Sequence, residues 1–168
     1  MIDRQNKLTP SFRLGEFVPD KVDDVPPWIL GELTDLCAEL LEPIRAHMGG
    51  PLIIHSGWRP EEVNIKAGGV QGSDHIHGRA ADFHVTGSLD IPWTEQTLAA
   101  FHWARVFLAG RYGQIILEDH RKSLGVPTKL WVHIANPSQK HPGTGHDPNS
   151  VLVSREPGKY EVYRGGLA

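Results

Sequence analysis

Between Trp28 and Gly50 the apolar residues Ile29, Leu33, Leu36, Cys37, Leu40, Leu41, Ile44 and Met48 recur at steps of three and four. That is the spacing of one helical face. Pro27 stands near the start and Gly49-Gly50 just past the end, so the spacing predicts an amphipathic helix. PLIIHSG (51–57), an apolar run bounded by proline and glycine, predicts a strand. Residues 58–79 are polar with little periodicity and read as a connection. AADFHV (80–85) alternates as a strand does, and a second helix covers about 93–109, stopping at Gly110. YGQIILED (112–119) and LWVHIAN (130–136) predict two further strands, parted by a polar loop. Residues 137–150 read as loop, with VLVSR and YEVYR as a closing hairpin. Residues 1–27, broken by Pro10, Pro19, Pro26 and Pro27, form an irregular lead-in to a single domain over 28–168. The predicted class is α+β: helices against one face of a small, mainly antiparallel sheet.

Composition narrows the partners. The chain has 168 residues, 39% hydrophobic and 22% charged, the balance of a globular domain able to bury a core. A net charge of −3 with no basic block argues against nucleic acid or an anionic membrane surface as partner. Cys37 is the single cysteine, so no disulfide framework is available; set in an apolar helical stripe, it reads as a buried structural thiol. The start, MIDRQNKLTPSF, lacks a signal-peptide apolar core, and no run of about 20 apolar residues suits a membrane span. The expectation is synthesis in the cytosol without membrane insertion, with any action at the cell wall following release by another route. Ten histidines are many for this length.

Strand alternation sorts those histidines. Ala81, Phe83 and Val85 share one face and Asp82 and His84 the other; Ile115 and Leu117 oppose Gln114, Ile116 and Glu118; Val132 and Ile134 oppose Trp131 and His133. Asp82, His84, Glu118 and His133 thereby fall on the face away from the helices, while Asp119 falls on the opposite one. A solvated sheet face carries such residues without any function, so alternation leaves both readings open. The stretch SDHIHGRAAD (73–82) adds weight to the functional one. His75 precedes the Asp82 strand closely enough to fold over it, with Gly78 free to turn the backbone between them. His75, Asp82 and His133 then form a two-histidine, one-carboxylate set suited to a catalytic zinc with a position open for water.

At these residues the sequence resembles a known family. SDHIHGRAAD fits S-x-H-x-x-G-x-A-x-D through Ser73, His75, Gly78, Ala80 and Asp82; SGWRPEEVN (56–64) and the glycines at 68–69 supply the upstream segment, and WVHIAN the W-x-H element. Together they resemble the zinc D-alanyl-D-alanine carboxypeptidases and endopeptidases, whose fold is shared with the hedgehog signalling domain. SFRLGEF and PIRAHMGGPLIIHSGWR look like the compact phage-type murein peptidase branch. The resemblance covers most of residues 11–136, and residues 137–168 add little to it.

The resemblance implies one zinc per chain on His75, Asp82 and His133, with a peptidoglycan stem peptide as substrate and phage structural proteins as candidate partners. It implies that Arg59 contacts the substrate carbonyl or carboxylate and stabilises the developing oxyanion. It assigns Ser73 to binding or orienting nearby groups. Several members carry their catalytic acid three positions before the last histidine, where this chain has Leu130. Glu118, on the face of His133, is the expected replacement as general base. His84 is expected as a substrate contact or a support to the site, Trp131 as part of the cleft lining, His77 as a support to the site or a loop residue, and His120 as a loop residue. Trp58, Trp93 and Trp103 are expected in the core, and His141 and His146 in a Gly/Pro-rich loop. Two rivals remain: an inactive zinc module for cell-wall attachment or particle structure, and a non-haem iron oxygenase. The oxygenases usually place histidine and acid as H-x-D within one strand, whereas six residues part His75 from Asp82.

Overall fold

The computed structural model describes residues 2–87, 90–138 and 151–165. Its predicted first helix is continuous but not uniform. α1 (Pro27–Leu36) runs into a π-helical turn over Cys37–Leu41, followed by α2 (Glu42–Met48). Pro43 accounts for the change, because a proline inside a helix lacks an N–H and crowds the carbonyl four residues back, which a widened turn relieves. Gly49, at φ 67°, closes the helix in the left-handed conformation that glycine adopts at little cost.

The strands are β1 (Leu52–Ser56), β2 (Ala80–Val85), β3 (Gln114–Asp119), β4 (Leu130–Ala135), β5 (Val151–Glu156) and β6 (Lys159–Val162). They form one six-stranded sheet in the order β1-β2-β4-β3-β5-β6. Every pairing is antiparallel except β3 with β5, which is parallel. The sheet is thus mixed but mostly antiparallel, as expected, and the last two strands form the predicted hairpin. The polar connection 58–79 holds more structure than its composition suggests: α3 (Glu61–Lys66) and a 3-10 turn (Asp74–His77).

α4 (Trp93–Phe107) lies across β2, β3 and β4 and also meets α2. Phe83, Val85, Ile115, Leu117, Val132 and Ile134 from the strands meet Ala100, Phe101 and Ala104 of α4 in one core. Burying such a side chain is worth about 1.5–3 kcal/mol for the larger residues, and this face repeats it on three adjacent strands. Cys37 is buried in the same core, which pushes its thiol ionisation well up and leaves it inert. The lead-in is irregular, as its prolines predict, yet Phe12, Leu14, Phe17, Val18 and Val25 pack into this core. Among the described residues no helix is long and apolar enough to cross a membrane.

Candidate metal centre

Sheet register does the first part of the assembly. Asp82 pairs directly with His133 across β2 and β4, and His133 pairs with Ile116 of β3. All three residues lie on the face turned away from α4. His75 arrives from outside the sheet. Ser73 caps its 3-10 turn, accepting from the His75 backbone N–H at 3.4 Å, and Gly78 ends the turn at φ 69°. Two backbone-directed bonds dock this turn onto the segment after β1: Arg59 N–H donates to the His75 carbonyl at 3.0 Å, and Trp58 Nε1 to the Ile76 carbonyl at 3.0 Å.

The orientation of the His75 ring follows from one partner. Its Nδ1 lies 2.7 Å from the Gly57 carbonyl oxygen. A carbonyl only accepts, so Nδ1 carries the hydrogen and Nε2 presents a lone pair. That Nε2 lies 3.2 Å from His133 Nδ1 and 3.3 Å from Asp82 Oδ1, while His133 Nδ1 and Asp82 Oδ1 are 2.8 Å apart. Ligands held tetrahedrally at about 2.0–2.1 Å from one zinc are spaced by roughly 3.3 Å. The three atoms therefore fit a single small divalent ion with a fourth direction free, and among the described residues this is the set of three that could hold one.

Electrostatics agrees with a ligand role for the carboxylate. Burial alone would raise the Asp82 pKa, but His75 and His133 outweigh it and hold the group well below the usual carboxylate range. Arg59 Nη2 stands 3.8 Å from Asp82 Oδ2. Its guanidinium is half-buried and its Nε makes no hydrogen bond among the described residues, so it has donor capacity to spare at the rim of the centre.

Glu118 is buried on the same face, opposite Trp131 in the β3–β4 register. Burial raises its pKa; His120 and Ser154 oppose the rise, and it lies close enough to His133 and Asp82 to feel both. His120 follows β3, outside the strands as expected, but it is a buried partner rather than a loop bystander: its Nε2 is 2.9 Å from Glu118 Oε2. Trp131 packs edge-on against that ring, with centroids 5.0 Å apart. Asp119 falls on the other side of β3 and pairs with Arg121 at 2.7 Å. Leu130 is buried apolar core, so no acid stands at the position some relatives use.

His84 neighbours a histidine that sequence reasoning passed over. A bulge in β1, between Ile54 and Ser56, sets His55 beside it: His55 Nε2 and His84 Nδ1 are 2.6 Å apart, and Trp93 meets the His84 ring edge-on. His77 lies against Trp28 of α1 rather than the centre. Trp58 is buried, and Trp103 is partly buried and stacks on His47, as core residues do. His141 and His146 lie outside the described residues. Strand parity could not have found His55, which sits at a bulge, or Ser154, whose strand joins β3 from far along the chain. His120 was visible only as the residue two past Glu118.

A family model described as Peptidase M15 matches residues 21–114. The match spans just over half of the chain and includes His75 and Asp82, ending before His133 and the strands that follow. No curated protein matches the sequence.

Proposed function

Because the chain belongs to the M15 peptidase family, we propose that it is a zinc peptidase hydrolysing an amide bond in peptidoglycan stem peptides, beside a D-amino acid. The observation that carries this reading is the convergence of His75 Nε2, Asp82 Oδ1 and His133 Nδ1, all within 4.8 Å of one another, on the sheet face that also holds Glu118. Zinc, when bound there, supplies a Lewis acid and brings the pKa of a coordinated water to about 7.

The protein's own residues supply the rest. Glu118 takes a proton from the attacking water and passes it to the leaving nitrogen, a task suited to a carboxylate whose pKa burial has raised. Arg59, half-buried beside Asp82, offers a fixed cation to the oxygen that gains charge at the scissile carbonyl. Trp131 and the His55–His84 pair border the same face and would contact the peptide. Ser73 acts through the turn that presents His75. A non-catalytic zinc module would suit a chain with no acid facing the centre; here Glu118 takes the place that Leu130 leaves vacant.

The test is zinc-loaded protein on purified peptidoglycan and on defined muropeptides, with products read by mass spectrometry. Cleavage by wild type that falls at least a hundredfold in Glu118→Gln supports the reading. Wild-type protein that holds zinc yet cuts no substrate overturns it.

A further inference from the structure

The structure assigns a role to a residue outside the segment that the family model covers. We propose that Tyr160 is a positioning residue whose phenol hydroxyl donates a hydrogen bond to the Glu118 carboxylate and fixes the direction in which that carboxylate faces the metal centre. The inference rests on the reading of Glu118 as general base.

Sheet topology brings the two together. β3 and β5 run parallel with Glu118 opposite Ser154 and Leu117 opposite Val153. β5 and β6 run antiparallel with Val153 opposite Glu161 and Glu156 opposite Lys159. Between those two pairs the register shifts, leaving Ser154 and Arg155 on β5 to face Tyr160 on β6. Leu117 and Val153 point into the core, so Glu118 and Ser154 point the other way. Glu161 shares the Val153 side, and Tyr160, one residue away, shares the Glu118 side. The row Trp131, Glu118, Ser154, Tyr160 thus crosses four strands on the face of the metal centre.

The surroundings of the hydroxyl agree. Glu118, Asp82 and Arg59 all act on it, and Glu118 is within hydrogen-bonding reach. These three groups come from β3, β2 and the segment after β1, on the same side of the sheet to which the register assigns Tyr160. The ring is 51% exposed, which makes it a lip of the cleft and not a core residue. Glu118 needs such a donor. Its Oε2 is buried without a hydrogen bond of good geometry among the described residues, although His120 Nε2 lies 2.9 Å from it and equally close to Ser154 Oγ. Burial, and then the Glu118 and Asp82 carboxylates, push the phenol ionisation up, so the hydroxyl keeps the proton it donates.

The test removes one oxygen. In zinc-loaded Tyr160→Phe we expect kcat to fall about tenfold, with KM within about twofold, since Tyr160 acts on the base that moves the proton and not on bound substrate. Zinc content and thermal midpoint stay at wild-type values, because the ring is half-exposed and Tyr160 is not one of the three residues that would hold the ion. In a Glu118→Gln background the same change should have no further effect on the residual rate, the signature of two residues acting as one unit. Wild-type kcat in Tyr160→Phe beside a crippled Glu118→Gln overturns the inference alone. A tenfold loss that persists undiminished in the double variant overturns it too, because Tyr160 would then act on the substrate directly. Full activity in Glu118→Gln removes the base and the positioning role together.

Discussion

His120 Nε2 lies 2.9 Å from Glu118 Oε2 and 2.9 Å from Ser154 Oγ. The Ser154 hydroxyl has acceptors for its own hydrogen in the Glu156 carbonyl at 2.9 Å and the Glu118 carboxylate, so toward His120 it accepts. The imidazole therefore carries its hydrogen on Nε2, facing both partners. A buried carboxylate with a raised pKa thus has a positive edge beside it that limits the rise. Ionisation at Glu118 is set by that balance.

His120→Gln should shift the balance toward the protonated acid. His120 lowers the Glu118 pKa, and removing it lets burial raise the group further. A base works only when ionised, so the acidic limb of kcat/KM moves to higher pH. The variant should be several-fold slower than wild type on the acidic limb and approach it as the pH rises past that limb. A pH–rate profile on one muropeptide checks this, and an unmoved limb would show that His120 does not tune Glu118.

Gly57→Ala should damage the metal site without touching a ligand. A β-carbon at Gly57 would lie 2.6–2.8 Å from Phe17 atoms, and Phe17 is fully buried core. Either the ring or the backbone must move, at a cost of about 1–3 kcal/mol. The Gly57 carbonyl that orients His75 moves with the backbone, and loss of such a support typically weakens metal binding about 10–100-fold. Competition with a chromogenic chelator would measure it. Wild-type zinc affinity in a destabilised variant would mean that Phe17 alone had yielded.

How far all this was legible in the sequence differs from one residue to the next. Period-two alternation found Asp82, Glu118 and His133 because each lies in a regular strand, where the pleat fixes the face. His75 came from its motif, since a 3-10 turn held by the Gly57 carbonyl and Ser73 has no period to read. The pairing of β3 with β5 is parallel and joins segments far apart in the chain, which no local pattern encodes, so Ser154 and Tyr160 stayed hidden. The π-helical turn was missed because Pro43 breaks the ladder without breaking the hydrophobic stripe that predicted the helix. Burial of Phe12 and Phe17 was obscured by the four prolines around them, which signal irregular backbone and say nothing of packing.

Arg59→Lys should separate charge from geometry. The guanidinium is half-buried, 3.8 Å from Asp82, and offers planar paired donors that a lysine ammonium cannot reproduce. Zinc content should stay at one per chain, because Arg59 is not a ligand. kcat/KM should fall by about a hundredfold, the scale of losing one oxyanion donor. Metal analysis beside steady-state rates decides the point; a loss of zinc in step with activity would make Arg59 a structural support for Asp82 instead.

The last prediction concerns the lead-in. Thr9 Oγ1 and the Ser11 backbone N–H both donate to Glu42 Oε1, at 2.7 and 2.9 Å, pinning residues 9–11 to the start of α2. Burial works against ionisation of Glu42, but the Thr9 and Ser11 hydrogen bonds and the Arg45 charge outweigh it, and its pKa falls below the usual carboxylate value. A carboxylate whose folded pKa is depressed adds stability above its unfolded pKa, about 4.3 for glutamate. That stability drains away as pH falls through the folded value. Glu42→Gln should therefore cost about 1 kcal/mol near pH 7, the net worth of hydrogen bonds to a partly exposed charge. For a chain of this size that is a drop of about 2–4 °C in thermal midpoint. In strong acid, below the depressed folded value, the wild-type carboxyl has gained its proton and comes to resemble the amide, so the gap should narrow from pH 7 to strong acid. Melting curves of both proteins at the two pH values measure it. An equal gap at both would locate the cost in amide geometry and not in the charge that ties the lead-in to the helix.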